Sequence, residues 1–181
     1  MAATFITPAI WLLRALSTSV SGGANPCGTI LAEPLQVGWR EWLALPELGV
    51  NWIKAKVDTG ARTSALAARE IQIETRDGED WVTFKLPPMQ DDNDTLVSIE
   101  APIIEFREVT DSGGNTECRP VIRTPIKIGA LNTIIDITLT DRSTMQFRML
   151  LGRTALPPEA AVFPRTSFLL GGDRRRPPEN P

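Results

Sequence analysis

The chain has 181 residues, a net charge of −3 and 42% hydrophobic residues, which is enough for one domain with its own core. This small charge gives no general attraction to nucleic acid or to an anionic membrane, so we predict neither as a partner. The sequence contains no His and no Tyr. The Ser-His and Cys-His nucleophile systems are therefore excluded in their usual form, and acid–base chemistry falls to Asp, Glu, Lys or Cys.

The two cysteines, Cys27 and Cys118, are too few and too far apart for a zinc ribbon or a disulfide framework. We predict two free thiols in a reducing compartment and place the protein in the cytoplasm. A disulfide or a reactive thiol is the alternative. Because the commonest transition-metal ligand is missing, we predict no metal and no cofactor.

Residues 1–33 differ in composition from the rest of the chain. Their apolar run is interrupted by Pro8 and Arg14, is too short to span a bilayer, and lacks the basic start of a signal peptide. We predict a poorly ordered extension, or upstream sequence read from a misplaced start codon, with a targeting segment as the alternative. The domain then covers residues 34–171, and the composition of residues 172–181 predicts a disordered tail.

From Leu35 onward the pattern predicts strands in QVGWREWLAL, NWIKAKV, EIQIETR, DWVTFKL, LVSIEAPIIEFREV, CRPVIRTPIKI and VFPRTSFLL. Asp77-Gly78 predicts a hairpin between EIQIETR and DWVTFKL, and LNTIIDITLTD with TMQFRMLLG is predicted as another. One helical turn is predicted in RTALPPEA, where Pro157 and Pro158 end it. Many short strands without a long amphipathic helix predict an all-β barrel or sandwich.

The stretch IKAKVDTGARTSAL places Asp58-Thr59-Gly60 directly after an alternating strand. Asp-Thr-Gly alone is weak evidence, because Asp and Gly form many turns. A second element strengthens it, namely MLLGRTAL at Met149–Leu156.

Together these elements resemble the retropepsin-like aspartic peptidases, in which an Asp-Thr-Gly-Ala loop is backed by a later segment ending in Gly-Arg. More narrowly, KAKVDTGARTSAL, DGEDWVTF, ECRPVIRTPIKIG and ITLTDRSTMQFRMLLGRTAL are similar to a bacterial retropepsin-like family often labelled ATP-dependent zinc protease. The resemblance covers roughly residues 35 to 171. It implies a closed β-barrel with one short C-terminal helix, active as a two-fold homodimer.

The resemblance also implies a mechanism and a set of site residues. Asp58 of each chain would form a dyad that shares one proton, so that one carboxylate activates water and the other protonates the carbonyl. Thr59 would hydrogen-bond across the two-fold axis, and Gly60 would permit the tight backbone approach. A dyad of this kind predicts an acid-side pH optimum, because losing the shared proton removes the general acid.

A flap that covers the site is predicted at Thr110–Glu117, whose Gly113 and Gly114 sit at the tip of a strand–loop–strand. These glycines, with Ala61, Arg62 and Arg153, are the predicted substrate-binding residues. A mobile surface hairpin is the alternative for this segment.

The chain departs from the bacterial family at two positions. Relatives commonly carry a His where this chain has Ala67 and another where it has Asn115, so any relative that binds zinc through these histidines has ligands that this chain lacks. No glycine-rich phosphate loop of the Walker type supports the ATP label.

The chain also departs from the viral pattern. An acidic residue there follows Asp-Thr-Gly-Ala and pairs with the later Arg, whereas Arg62 and Arg153 are both cations here. Each therefore needs a carboxylate. We predict a local partner such as Glu70, Asp141 or the second chain, with a carboxylate of the substrate as the alternative.

The functional alternative is recognition of an acidic peptide, for which Lys54, Lys56, Arg119 and Arg123 are further candidates. Family members are frequently linked with ATP-grasp enzymes that add glutamates to protein tails, so we expect a glutamate-rich substrate. Two other hypotheses remain open. One is a non-catalytic peptide-binding barrel in which Asp-Thr-Gly is a structural turn. The other is a metal-assisted hydrolase that uses carboxylates and Cys118.

Overall fold

The computed structural model describes residues 33–110, 113–142, 144–174 and 176–179. Cys27 and nearly all of the predicted N-terminal extension lie outside these residues. The strands are β1 (Gln36–Gly38), β2 (Arg40–Leu45), β3 (Val50–Asp58), β4 (Ser64–Ala67), β5 (Arg69–Arg76), β6 (Glu79–Leu86), β7 (Val97–Pro102), β8 (Glu105–Thr110), β9 (Thr116–Ile128), β10 (Leu131–Thr140), β11 (Met149–Gly152) and β12 (Ala161–Phe163).

The main sheet has the strand order β10-β4-β11-β3-β2-β9-β8, and β9 also pairs with β10. β5, β6 and β7 form a second sheet, and β1 pairs with β12 in a third. The prediction of an all-β fold is confirmed. β2 and β9 meet through one residue pair, Ala44 and Lys127, so closure of the barrel depends on this pair and the β9–β10 ladder. The closed barrel stays a prediction.

The central strand β3 shows why this sequence forms a buried strand. Ile53, Ala55 and Val57 face the core and are at most 7% exposed. Lys54 lies on the opposite face and is also buried, because its Nζ donates to the Arg174 carbonyl at 3.0 Å. The end of β3 therefore carries Asp58 out of a rigid, well-packed part of the sheet.

The hairpin predicted at Asp77-Gly78 is confirmed. Both residues have positive φ, 51° and 87°, which matches the tight two-residue turn that Asp-Gly favours. The predicted hairpin between LNTIIDITLTD and TMQFRMLLG is wrong. β10 pairs with β9 and β4, and β11 pairs with β3 and β4. The described residues between them, 141–142 and 144–148, belong to no strand.

The segment predicted as a short C-terminal helix is a single 3-10 turn, Arg153–Ala155. Pro157 and Pro158 follow, and proline cannot continue a helix. Among the described residues, no helix has the length and hydropathy needed to cross a membrane.

The described residues of the predicted tail contact the main sheet. The indole Nε1 of Trp42 donates to the Asp173 carbonyl at 2.8 Å, beside the bond from Lys54 to Arg174. The buried carboxylate of Glu41 accepts backbone N–H groups from Leu169 and Leu170 just before this segment. These bonds hold residues 169–174 against β2 and β3.

Candidate active site

Asp58 ends β3 and is half-buried. Its Oδ1 accepts the backbone N–H groups of Gly60 at 3.1 Å and Ala61 at 3.2 Å. Within the described part of the chain, Oδ2 accepts no hydrogen bond. One carboxylate oxygen is thus fixed by the loop, and the other is left for an incoming group.

The segment after β11 braces this loop from behind. Gly152 lies opposite Asp58 in the parallel β3–β11 ladder. The backbone N–H of Arg153 donates to the Ala61 carbonyl at 2.9 Å, and its Nη1 donates to the Gly60 carbonyl at 2.9 Å. A Cβ on Gly152 would meet the Thr63 carbonyl carbon at 2.5 Å, so only glycine allows the two segments to approach this closely.

Arg62 and Arg153 do not share one role. Arg153 donates to a backbone carbonyl within its own chain, and the carboxylate predicted for it stays a prediction. Glu70 pairs with Lys85 at 2.6 Å rather than with Arg62. In the described ranges Arg62 forms no ion pair, and its exposed guanidinium is available to a ligand.

Arg62 lines a cleft of about 500 Å³ that opens beside the Asp58 loop. Arg107 and Arg123 line the same cleft, with Asp136 as its one carboxylate. Arg107 Nη1 donates to Thr63 Oγ1 at 2.7 Å. Arg107 also pairs with Glu105, and Arg123 pairs with Asp136, so among the described residues Arg62 is the cation without an ion pair in this arginine cleft, as we call it, next to the predicted catalytic loop.

Asp136 neutralises part of the positive charge of the cleft. Arg123 Nε donates to Asp136 Oδ1 at 2.8 Å, and Arg107 Nη2 lies 4.0 Å from Oδ2. The hydrogen bond from Arg123 lowers the pKa of Asp136, partial burial opposes this, and the charges of Arg123 and Arg107 add to the lowering. Asp136 is thus held ionised in the cleft, as a competitor for any acidic ligand.

Arg142 is a second cation near Asp58. Burial lowers the pKa of Arg142, the charge of Arg119 lowers it further, and the Asp58 carboxylate opposes both effects. Its Nε donates to the Phe147 carbonyl at 3.1 Å, which turns the side chain toward Phe147. Arg119 itself pairs with Glu117 at 2.7 Å.

The remaining predicted residues are distributed as follows. Thr59 is exposed on the Asp58 loop, and Lys56 is exposed two residues before Asp58. Gly113 and Gly114 lie in the tip between the paired strands β8 and β9, and Gly114 has a φ of 86°.

Ala67, at one lost His position, is buried in β4, and Asn115 lies at the β8–β9 tip. Cys118 is an exposed free thiol. Among the described residues, no three His, Cys, Asp or Glu side chains lie close enough together to hold a metal ion.

The sequence interpretation missed Arg107, Asp136, Arg142 and Ser64. Ser64 Oγ accepts the Gly152 N–H at 3.1 Å in a buried position. The sequence did contain a signal for Arg142, because this residue comes just after a predicted strand and ahead of the LLGR segment. The contacts of Arg107 and Asp136 join strands far apart in sequence, and no local pattern predicts them.

The curated relatives that match are longer proteins. One from Desulfotalea psychrophila is 44% identical over 135 residues, one from Shewanella pealeana is 42% identical over 135, and one from Parasynechococcus marenigrum is 42% identical over 139. Each is named a probable alpha-L-glutamate ligase. The matches cover 75–77% of this chain but only 29–30% of those proteins.

A solved structure of a protein of unknown function from Legionella pneumophila has a similar fold, with a TM-score of 0.63 and 26% identity. The match covers 76% of this chain and 98% of that one. Residues 36–171 match the family described as the RimB-like retropepsin-like aspartic endopeptidases. The match includes the Asp58 loop, the Gly152 segment and the arginine cleft. The chain therefore belongs to the RimB-like family of retropepsin-like aspartic endopeptidases.

Proposed function

We propose that this protein is an aspartic peptidase in which Asp58 supplies one carboxylate of a catalytic dyad. The observation that carries the proposal is the geometry of the Asp58 carboxylate. Oδ1 is fixed by two backbone N–H groups, whereas Oδ2 is left for a water molecule or a second carboxylate. Such an arrangement orients an acid–base group without a nucleophilic side chain.

The second carboxylate comes from a second copy of the chain. The sequence holds one Asp-Thr-Gly, at residues 58–60, and two carboxylates placed close together share a proton because both cannot ionise. A two-fold axis beside Asp58 would bring the two copies together. Thr59 is exposed at this point and can donate its hydroxyl to the other copy.

The dependence of cleavage on pH tests this mechanism. We expect the rate for a peptide substrate to be highest on the acid side of neutrality and to fall as the dyad loses its shared proton. The measurement is kcat/KM across a series of buffers of constant ionic strength. A rate that still rises above neutral pH would contradict a shared-proton dyad.

The preferred substrate is an acidic peptide. Arginine forks bind carboxylates through two parallel hydrogen bonds, and Arg62 is exposed without an ion pair among the described residues. Arg107 and Arg123 share its cleft. The name of the curated relatives supports glutamate as the acidic residue, and an ATP-grasp ligase that joins glutamates is the functional partner we propose.

Replacing Arg62 with Ala tests this preference. We expect kcat/KM for a glutamate-containing peptide to fall about tenfold, because one charge-assisted contact is lost. Cleavage of a matched glutamine-containing peptide should change little. Lys127→Ala removes an exposed cation outside the cleft and serves as the control. An equal loss for both peptides in Arg62→Ala would refute the acidic preference.

One observation favours a second function. The matching stretch is less than a third of each curated relative, and those proteins are named ligases. A domain of this kind can serve a ligase by holding an acidic chain in the arginine cleft without cutting it. In that case the protein binds glutamate peptides with and without the Asp58 carboxylate, and no cleavage product forms.

A further inference from the structure

A second pocket, of about 290 Å³, shares no lining residue with the arginine cleft. Among the described residues, four cations line it, Arg40, Lys54, Arg148 and Arg174, against one carboxylate, that of Asp91. Its other lining residues include glutamine and threonine side chains, which can donate hydrogen bonds. The chemistry of this cationic pocket, as we call it, suits an oxyanion.

Two of the four cations are buried within the fold. Lys54 is 7% exposed and Arg148 is 4% exposed. Arg148 Nη2 donates to Asn93 Oδ1 at 2.6 Å, and Nη1 donates to the Met145 carbonyl at 3.2 Å. Burying positive charge costs free energy unless an opposite charge offsets it, and the hydrogen bond that Lys54 donates goes to a neutral carbonyl oxygen. An anion in the pocket would supply that offset.

Arg40 and Lys54 are held firmly enough to form a site. Arg40 stacks over the Trp39 ring at 4.4 Å and over the Phe168 ring at 5.1 Å. Lys54 lies over the Trp42 ring at 5.1 Å. In the described chain neither Arg40 nor Lys54 forms an ion pair.

The charges in this pocket repel one another. Burial lowers the pKa of Lys54, Arg40 and Arg174 lower it further, and the Asp91 carboxylate opposes them. Burial also lowers the pKa of Arg40, and Arg174 adds to that effect. All four side chains line one pocket of about 290 Å³, so they are close enough together to act on one ligand.

The pocket lies near the Asp58 loop. Lys54, Lys56 and Asp58 alternate along β3 on the same face, and Lys54 precedes Asp58 by about 13 Å at the usual rise per strand residue. Residues that follow β10 border both places, since Thr144–Gln146 line the pocket and the charge of the Asp58 carboxylate opposes the lowering of the pKa of Arg142 by burial. An extended peptide of more than four residues can reach from one place to the other.

We propose that the cationic pocket is an exosite, meaning a binding site outside the catalytic centre, for a carboxylate of the acidic peptide whose scissile bond lies at Asp58. This proposal rests on the proposed function for its choice of ligand. It assigns Arg174 and Asp91 opposite effects. Arg174 attracts the peptide carboxylate, and Asp91 competes with it for the same cations.

Binding of glutamate peptides to Asp58→Asn protein tests the exosite without the complication of cleavage. The readout is the ratio of the Kd of triglutamate to that of decaglutamate, measured by calorimetry. Triglutamate spans roughly 10 Å and cannot bridge the two places, whereas decaglutamate can. Arg174→Gln changes an exposed side chain and keeps the backbone carbonyl that Lys54 uses.

We expect Arg174→Gln to reduce this ratio about fivefold, as the loss of one charged partner predicts. Asp91→Asn should increase the ratio. Arg165→Gln, which removes an exposed arginine outside the pocket, should leave it unchanged. An unchanged ratio in Arg174→Gln, or an equal reduction in Arg165→Gln, would overturn the exosite.

The result is independent of the catalytic proposal. If wild-type protein cleaves no peptide but the ratio responds as expected, the cationic pocket stands as a carboxylate-binding site and the peptidase mechanism fails. If wild-type protein cleaves acidic peptides and the ratio does not respond, the exosite alone fails.

Discussion

Replacement of Asp58 by Asn is expected to lower the rate of peptide cleavage about a thousandfold, because the loop then presents an amide that cannot act as general acid or base. The fold should be kept. Asn retains an oxygen in the position of Oδ1, which can still accept the N–H groups of Gly60 and Ala61. The measurement is product formation from a glutamate-rich peptide at the optimum pH, followed by mass spectrometry.

Asp94→Asn provides the matched control, since Asp94 is an exposed carboxylate away from the Asp58 loop. Light scattering should give the mass of two chains for both variants and for wild type. Full activity in Asp58→Asn would refute the catalytic role. An active wild-type enzyme with the mass of one chain would refute the shared dyad while leaving the role of Asp58 open to a different mechanism.

Gly152→Ala is expected to lower the free energy of unfolding by about 3 kcal/mol, the upper part of the range for overpacking in a core. The added Cβ would lie 2.5 Å from the carbonyl carbon of Thr63 and 2.8 Å from the Arg62 carbonyl oxygen. These are backbone atoms, which cannot rotate away as a side chain does. Either the Asp58 loop or β11 must therefore move.

Urea unfolding followed by tryptophan fluorescence measures this effect. Gly49→Ala is the control, because Gly49 has a φ of 69° but nothing within 4 Å of the added Cβ. That variant isolates the cost of left-handed backbone, about 1 kcal/mol. If Gly152→Ala lowers the free energy of unfolding by no more than Gly49→Ala does, the close approach of β11 to the Asp58 loop is not what holds that loop in place.

Sequence reasoning identified the parts of the site whose signals are local. Asp58 follows an alternating strand, and Gly152 follows a short hydrophobic run, so both were visible as motifs. Their pairing in the β3–β11 ladder agrees with the family resemblance. The position of Asp77-Gly78 was equally predictable, because only a few residue pairs suit a tight two-residue turn.

Other features depend on partners far away in sequence. β4 was missed because SALA is short and buried throughout, so it shows no alternation. The predicted strand TMQFRMLLG corresponds to part of a loop followed by β11. The prediction ran the two together because Phe147 and Met149, both buried, are two residues apart, as in a strand. The structure places Arg148 between them, turned toward loop carbonyls rather than toward a neighbouring strand.

A local sequence pattern could not predict the role of Lys54 either. Alternation predicts an exposed side chain there, and as an isolated strand residue Lys54 would be solvated. Its burial depends on the Arg174 carbonyl, 120 residues later, and on the Trp42 ring. For the same reason, the charge of the arginine cleft could be proposed from Arg62 and Arg123, but the competing position of Asp136 could not.

The bonds that brace the Asp58 loop also determine when it can form. The bond from Arg153 to Gly60 spans 93 residues, that from Thr154 to Arg62 spans 92, and that from Gly152 to Ser64 spans 88. Contacts of such long range form late, since the loop between them must close first. A growing chain on the ribosome therefore carries Asp58 long before its supports exist. The Asp58 loop is completed only when nearly the whole domain has been synthesised, so incomplete chains lack its supports.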